Sequence, residues 1–316
     1  MTSFLLRRLL SIIPVLIGVS IVVFTMQKMI PGDAATAQLG PMATGEEIEA
    51  LRHELGLDRP IPEQYLMWLG SVAKGDFGRS IALKVPVYDA IMPKMGNTLI
   101  LAGFSLAFAL MVGTLLGVLA GMRPNTRLDR GITLFAITGS SMPGFWVGLV
   151  LMWIFAIQLR WLPSTGMYSI RGGGGLLDLL QHVVLPALSA SLISIALLSR
   201  LVRSAVLEIM QQDYIRTARA KGLGEQMVAF KHTLRNAIPP IIGVIGVQVG
   251  LLLGGSLFTE VVFSWPGMGL QLYSSISARD TPMVQASVLL TATVFSLSNL
   301  AADLLHGLAD PRIRVS

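Results

Sequence analysis

Charge-free apolar runs dominate this chain of 316 residues. Six gaps between ionisable residues are long enough for a transmembrane helix, which needs about 20 mostly apolar residues. None of them alternates between polar and apolar positions, so each gap predicts a helix and not a strand. The gaps lie between Arg8 and Lys28, Lys94 and Arg123, Arg130 and Arg160, Asp178 and Arg200, Arg235 and Glu260, and Asp280 and Asp303. The pattern predicts an all-α integral membrane protein with six transmembrane helices.

Basic residues are distributed unevenly over the polar segments that join these spans. With six spans, one side receives all the basic clusters, and the opposite short loops carry only single arginines. The clusters lie at Arg7–Arg8, Arg123–Arg130, Arg200–Arg235 and Arg312–Arg314, and the single arginines are Arg160, Arg171 and Arg279. Because loops rich in Lys and Arg stay in the cytoplasm, both termini are expected there.

Composition agrees with a membrane protein and narrows its chemistry. Apolar residues make up 53% of the chain and charged residues 13%, against about 25% charged residues in soluble domains. The net charge of +6 comes from clusters beside spans, so no nucleic-acid partner is expected. The absence of cysteine excludes disulfides, thiolate metal sites and cysteine nucleophiles.

Catalytic and metal-binding patterns are also missing from the sequence. No nucleophile, base and orienting group can be assembled, so we expect a non-catalytic chain that binds no cofactor. The dipeptide Gly-Lys is absent, which excludes a P-loop for ATP. The histidines lie in different segments without a ligand residue at helical spacing, so no metal site is expected. They are His53, His182, His232 and His306.

The N-terminus allows two interpretations. Arg7 and Arg8, an apolar stretch and then Gly32, Ala34 and Ala35 could form a cleaved secretory signal. The apolar stretch is longer than the usual signal core of about 7–15 residues, which favours an uncleaved first span.

Residues 31–96 form the one large hydrophilic connection and are expected outside the cytoplasm. Thr44 and Glu47 have the spacing of a capping box, and Gly56 supplies a helix stop. Ile48, Leu51 and Leu55 share the face of this first helix, and a second amphipathic stretch contains Tyr65, Leu66, Trp68, Leu69 and Val72. The segment is either a cap that packs on the bundle or in the headgroup layer, or a docking surface for an external partner.

The cytoplasmic loop between the fourth and fifth spans, at about 207–237, is predicted to form two short helices. Asp213 is expected to cap the first, from Tyr214 to Lys221, and Gly222 to end it. The second is expected over 225–234. Ile215, Ala218 and Gly222 form a narrow face of small or apolar groups among basic residues. That helix either rests on anionic lipid or offers this face to a protein.

The loop has a distinctive sequence, QDYIRTARAKG over 212–222 and HTLRNAIP over 232–239. It resembles the cytoplasmic coupling loop of membrane subunits of binding-protein-dependent ABC importers, in the dipeptide, oligopeptide and nickel permease family. Similar family stretches are LGLDRP at 55–60, GDFGRS at 75–80, TEVVFSWPGMG at 259–269 and DPRIR at 310–314. The general importer motif has Glu-Ala-Ala where this chain has Arg216, Thr217 and Ala218, a form similar to the peptide branch.

The resemblance implies a permease subunit in the cytoplasmic (inner) membrane of a bacterium. Its implied partners are a second homologous permease, two ATPase subunits that use ATP and Mg, an external substrate-binding protein and the lipid bilayer. Implied cargo is a di- or oligopeptide, with glutathione, a nickel chelate or another small polar solute as alternatives. A structural or assembly protein that binds lipid through the basic loop is the rival from another class. The implied ATPase-docking residues are Asp213, Tyr214, Ile215, Arg216, Thr217, Ala218, Arg219, Ala220, Lys221, Gly222, His232, Arg235 and Asn236.

Polar residues inside the spans are candidates for the translocation path. Lipid offers them no partner, so they should face the bundle or a wet path. They are Gln248, Gln285, Ser296, Ser298 and Asn299. The glycines at 246, 250 and 254 in the fifth span form a close-packing stripe, either for helix packing or for a path wall or permease seam. The expected organisation is 1–30 for the N-terminus and first span, 31–96 for the external segment and 97–316 for the five-helix core.

The native absence of cysteine makes the topology easy to test. Single cysteines introduced at Ser71 and Ser164 should react with a membrane-impermeant thiol reagent in intact cells, because both lie in predicted outer segments. A cysteine at Thr126 should react only after permeabilisation. Labelling at Thr126 in intact cells would contradict the six-span arrangement.

Overall fold

The computed structural model describes residues 2–29, 34–39, 43–54, 56–169, 174–224, 227 and 235–309. Regular structure in these ranges is helical, and an isolated antiparallel bridge joins Arg79 to Pro86. The helices are α1 (Thr2–Met29), α2 (Ala34–Leu39), α3 (Gly45–Glu54), α4 (Ile61–Ala73), α5 (Val87–Met122), α6 (Arg127–Ser141), α7 (Gly144–Leu151), a π-helix (Met152–Gln158), α8 (Leu176–Met210), α9 (Asp213–Ala220), α10 (Arg235–Val262), α11 (Met268–Ser277) and α12 (Thr281–Ala309).

The chain folds into two compact units. The first contains residues 97–270 with 1–5 and 295–316, and the second contains 6–96 with 271–294. Among the described residues, α1, α5, α8 and α12 are long and apolar enough to cross a membrane. The bent pair formed by α6 and α7 with its π-helix is a further candidate span. The apolar part of α10 found among the described residues, Gln248–Val262, is shorter than a span requires.

The third predicted span is not one continuous helix. Its two parts meet at an angle of 109° between Ser141 and Gly144. Pro143 lacks an N–H and cannot continue the helix, and it forces Met142 into an extended conformation with ψ 135°. The absence of charges between Arg130 and Arg160 predicts a single helix, but Pro143 divides it in two.

Helix α8 is the main packing partner in the first unit. It packs against α6, α7 and α10, and it also lies close to α5. Three glycines at four-residue spacing on α5, Gly113, Gly117 and Gly121, face Leu198, Val202 and Val206 of α8. A Cβ atom at Gly117 would lie 2.6 Å from the Cβ of Val202, closer than real Cβ contacts allow. The small residues therefore let the two backbones approach.

The glycines at 250 and 254 in the stripe of the fifth span differ in how closely they are packed. A Cβ at Gly250 would lie 2.8 Å from the ring of Phe295 in α12, so this position serves helix packing. Nothing lies within 4 Å of such an atom at Gly254. Gly246 belongs to the part of α10 whose surroundings fall outside the described residues.

The capping box predicted in the segment 31–96 is present in the second unit. Thr44 and Glu47 form the capping box: Thr44 N donates to Glu47 Oε2 at 2.8 Å, and Glu47 N donates to Thr44 Oγ1 at 3.3 Å. The hydrogen bonds that Thr44 N and Thr44 Oγ1 donate to the Glu47 carboxylate lower the pKa of this carboxyl group. Gly56 follows α3 with φ +65°, and Leu57 N donates to Arg52 O at 2.9 Å, which is a glycine-terminated helix end. Leu55 lies outside the described residues.

Helix α4 packs on α1 through aromatic side chains. The rings of Phe24 and Tyr65 meet edge to face at 5.4 Å between centroids, and Trp68 lies 5.7 Å from Phe24. The Tyr65 and Ser20 hydroxyls are hydrogen-bonded at 2.7 Å. Leu66 on the opposite side of α4 remains 65% exposed. One face of the predicted amphipathic helix is thus fixed to the first span.

The contact between α5 and α8 predicts a large effect of one methyl group. Gly117→Ala should destabilise the protein by about 1–3 kcal/mol, because neither Val202 nor the Ser199 carbonyl can move away without shifting a helix. Gly103→Ala, on the same helix with nothing within 4 Å, should be neutral or stabilising. Thermal unfolding in detergent compares the two, and equal effects would contradict the close packing.

Candidate coupling surface and polar sites in the spans

Helix α9 starts one residue earlier than its sequence predicts. Gln212 is the extended residue before the helix and makes no capping bond with its side chain. Asp213 lies in the first turn and pairs with Arg216 at 3.5 Å, so it does not act as the cap. An acidic side chain in the first turn still stabilises the helix through the macrodipole.

The end of α9 follows the prediction. Gly222 has φ +80°, its N–H bonds to Arg219 O at 2.9 Å, and Leu223 N bonds to Ala218 O at 3.3 Å. This is the glycine-terminated end that L side chains adopt only at a cost. A Cβ at Gly222 would meet nothing within 4 Å, so the glycine is needed for backbone conformation and not for close approach.

The narrow apolar face of α9 points into the protein. Ile215 and Ala218 are buried and pack against Ile209 and Met210 at the end of α8. Sequence analysis offered this face to a partner protein, and the structure corrects that interpretation. A helix of eight residues is too short to be stable alone, so it buries its apolar stripe on the nearest hydrophobic surface.

The opposite face of α9 is exposed and carries the polar members of the predicted loop. Asp213, Arg216, Thr217 and Ala220 all lie on the surface. At one edge of this face, Tyr214 OH accepts a hydrogen bond from Asn236 Nδ2 at 3.0 Å. The structure thus joins α9 to the first turn of α10 as well as to α8. His232 and the side chain of Arg235 lie outside the described residues.

A buried ion pair near the same end of α8 was missed by sequence analysis. The Asp129 carboxylate accepts two bonds from the Arg203 guanidinium, at 2.5 Å from Nε and 2.8 Å from Nη2, and a third from Asn125 N at 2.9 Å. Asp129 N donates to Thr126 Oγ1, the N-cap of α6. The capping-box spacing of Thr126 and Asp129 is the sequence feature that could have indicated the position of Asp129 at the start of a helix. The pair ties the start of α6 to α8, and its bidentate geometry fixes their orientation.

Glu260 forms a second buried polar centre at the other end of this unit. Its carboxylate accepts bonds from Thr98 Oγ1 at 2.7 Å, Gly269 N at 2.6 Å and Leu270 N at 3.2 Å. The last two donors are backbone N–H groups of the first turn of α11, where a negative charge is favoured. Thr98 Oγ1 in turn accepts from Met268 N at 2.8 Å. The sequence feature that could have indicated this centre is Glu260 itself, a single carboxylate beside an apolar run.

Trp265 fills the space beside this centre. It is fully buried among Leu101, Met167 and Val183. Its indole N–H donates to Asn97 O at 2.9 Å, and Asn97 Nδ2 donates to Pro266 O at 2.8 Å. The turn after α10 is therefore locked to the start of the apolar part of α5.

The candidate path residues are divided between the two units. Gln248 is 1% exposed, and its Oε1 has no hydrogen-bond partner among the described residues. Ser296 is buried, and Ser298 and Asn299 are half-buried, all on α12 in the same unit as Gln248. Gln285 belongs to the other unit, where it is hydrogen-bonded to Gln27.

Comparison with protein families identifies the chain. The model of the binding-protein-dependent transport system inner membrane component matches residues 113–315, and the model of the N-terminal part of such components matches residues 1–102. The chain belongs to this family of inner membrane transport components. It is a permease subunit of an ABC transporter.

Similar permeases extend over the full length of the chain. The di/tripeptide transport system permease protein of Pseudomonas aeruginosa is 40% identical over 99% of both chains. The oligopeptide transport system permease protein of Bacillus subtilis is 39% identical, and the dipeptide transport system permease protein of Escherichia coli 40% identical, each over 99% of both chains.

A solved structure has the same fold. The inward-facing methionine ABC transporter MetNI contains a chain that superposes with a TM-score of 0.57 at 19% identity, covering 70% of this permease and 96% of that chain. The helical ABC permease fold is thereby established for this chain.

Histidine pairing in the permease differs from the expectation at one position. His182 does have a ligand-type residue one turn earlier, since its Nδ1 lies 3.2 Å from Asp178 Oδ1. Within the described ranges, no group of three or more His, Asp or Glu side chains could hold a metal ion. The Asp178 carboxylate also accepts from Ser169 N and Oγ at 2.9 and 2.8 Å, so the pair joins α8 to the loop before it.

The packing of α9 on α8 predicts that substitutions of Ala218 and Ala220, two alanines of α9, have different effects on the position of this helix. Ala218→Trp should expel α9 from α8, since overpacking a buried position costs about 1–3 kcal/mol. Ala220→Trp should leave α9 in place because Ala220 is exposed. Limited trypsin digestion of the purified permease should cut at Arg219 and Lys221 faster in the first variant only. Equal digestion of both variants would contradict the packing.

Proposed function

We propose that this permease moves di- or oligopeptides inward across the cytoplasmic membrane. The observation that carries this proposal is the similarity at about 40% identity, over essentially the whole chain, to permeases named for di/tripeptide, dipeptide and oligopeptide transport. Similarity confined to the coupling loop would support only an ABC importer of some kind. Glutathione, a nickel chelate and another small polar solute remain alternatives that a transport assay separates.

We further propose six spans with both termini in the cytoplasm and the organisation 1–30, 31–96 and 97–316. Contacts at the two ends of the first unit support this topology. Asp129 and Arg203 bring two basic segments together at one end. At the other end, Gly166 N donates to Phe263 O at 2.8 Å. The broken helix pair α6 and α7 lies between these two contacts in the chain, and we interpret it as one crossing span.

The proposed ATPase contact is the exposed face of α9. The structure supports it in a revised form: Ile215 and Ala218 hold the helix, and Asp213, Arg216 and Ala220 are available to the ATPase. Because α9 is fixed to α8 through its apolar face and to α10 through Tyr214 and Asn236, a displacement of α9 would be passed to two spans. Arg216, Arg219 and Lys221 favour an acidic groove on the ATPase.

Energy is proposed to come from partner subunits. The sequence contains no P-loop, so two ATPases would bind ATP and Mg while this chain remains non-catalytic. A second permease and an external binding protein would complete the importer. The path residues proposed for this chain are Gln248, Gln285, Ser296, Ser298 and Asn299. The side-chain oxygen of buried Gln248, which has no hydrogen-bond partner among the described residues, supports a polar surface inside the bundle.

The experiment uses the reconstituted complex with its binding protein. Dipeptide should stimulate ATP hydrolysis, whereas glutathione and a nickel–histidine chelate should not. Ala220→Trp should reduce the stimulation at least about tenfold, a loss of about 1.4 kcal/mol that a clash in a packed interface easily reaches. Leu128→Trp, an exposed position at the start of α6, is the matched control.

Two outcomes would contradict the proposal. Stimulation by glutathione or the nickel chelate alone would overturn the peptide assignment. Normal stimulation in Ala220→Trp would favour a helix that rests on lipid, since Trp is welcome at the membrane interface. Failure of the ATPases to co-purify with the wild-type permease would favour the structural or assembly protein.

A further inference from the structure

An open apolar groove lies within the second unit. It has a volume of about 840 Å³ and runs between α1 and the segment 276–288, which includes the start of α12. Valine is the commonest residue in its walls, with Val15, Val19 and Val22 on α1 and Val284 and Val288 on α12 among the lining residues. A volume of this size falls within the range of about 300–1,000 Å³ that is typical of small-molecule sites.

The groove has the dimensions of one membrane leaflet. Its wall on α1 extends from Pro14 to Gln27, which is about 20 Å at the helical rise per residue. Half of the hydrocarbon core measures about 15 Å. Gln27 immediately precedes Lys28 at the outer end of the first span, so the groove begins at the outer surface and reaches past the middle of the bilayer.

Polar groups are confined to the outer end of this groove. Gln27 and Gln285 are hydrogen-bonded to each other there, and Thr281 and Arg279 complete the lining. Below them the walls are hydrocarbon. A molecule that matches this arrangement has a polar head and a long apolar tail.

Arg279 supplies a positive charge at the mouth of the groove. It is exposed, and no carboxylate in the described part of the chain pairs with it. The neighbouring Asp280 is buried and accepts bonds from the Ser80 hydroxyl and from Ile81 N at 3.1 Å. Arg279 also adopts φ +54°, a conformation that favours glycine. The chain has a large basic side chain at a position where glycine would cost less, and the short loops that the topology places outside carry only single arginines.

We propose that this groove binds an anionic phospholipid of the outer leaflet. One acyl chain lies between α1 and α12 along the valines, and the phosphate meets the Arg279 guanidinium. A transmembrane helix of another subunit would cover the valines equally well, and the dependence of retention on the lipid head group at Arg279 distinguishes the two occupants. The site does not depend on which solute the permease carries.

Native mass spectrometry of the assembled importer tests the proposal, with phosphatidylglycerol and phosphatidylcholine as probes. Arg279→Gln should lower phosphatidylglycerol retention about fivefold, the factor that corresponds to about 1 kcal/mol for one basic residue at an anionic surface, and leave phosphatidylcholine unchanged. Arg160→Gln is the matched control, because Arg160 is an exposed outer-loop arginine with φ +55°.

A second pair of variants tests the tail. Gly18 lines the groove and has nothing within 4 Å of an added Cβ, so Gly18→Phe should fill the groove and reduce retention of both lipids. Gly103→Phe adds the same ring at an open position that does not line the groove. Equal retention of the two lipids by the wild type, or equal losses in Arg279→Gln and Arg160→Gln, would overturn the proposal. So would release of the second permease by Gly18→Phe with an unchanged lipid count, since a protein helix would then occupy the groove.

Discussion

The close approach of α5 and α8 is the contact on which the first unit depends. Gly113, Gly117 and Gly121 leave room for branched side chains of α8, so dispersion contacts act over two full turns. In a bilayer, where lipid tails are as apolar as the helix surfaces, such packing replaces the hydrophobic effect as the source of association. The remaining helices of the unit, α6, α7 and α10, then assemble on the free faces of α8.

Polar contacts fix the two ends of this packed unit. At one end the Asp129–Arg203 pair holds the start of α6 against α8, and the buried face of α9 packs on the end of α8. At the other end Glu260 and Trp265 join the turn after α10 to the start of the apolar part of α5. A buried charge is stable only with such partners, so each centre tolerates little displacement of the helices that supply its donors. The proposed coupling through α9 would use this stiffness, since α9 has no stable position apart from α8 and α10.

Local signals in the sequence were most reliable where one or two residues determine the backbone. The capping box of Thr44 and Glu47, and the helix ends at Gly56 and Gly222, formed where they were expected. The break at Pro143 had an equally local cause and could have been predicted from the same rules. Asp213 was placed wrongly by one position, because both Gln212 and Asp213 are compatible with a helix start and only the neighbouring structure chooses between them.

The sequence by itself determined the helical class, the apolar runs of the spans, the basic clusters beside them and the family, because each depends on composition or on a contiguous motif. Tertiary structure decided the rest. It buried Ile215 and Ala218 against α8 and packed the three glycines of α5 against the same helix. It also paired Asp129 with Arg203 and Glu260 with Thr98. These outcomes depend on which surface lies opposite each residue. Helical periodicity shows that a face is apolar or small, but only the packed neighbours decide whether that face meets the same chain, another subunit or lipid.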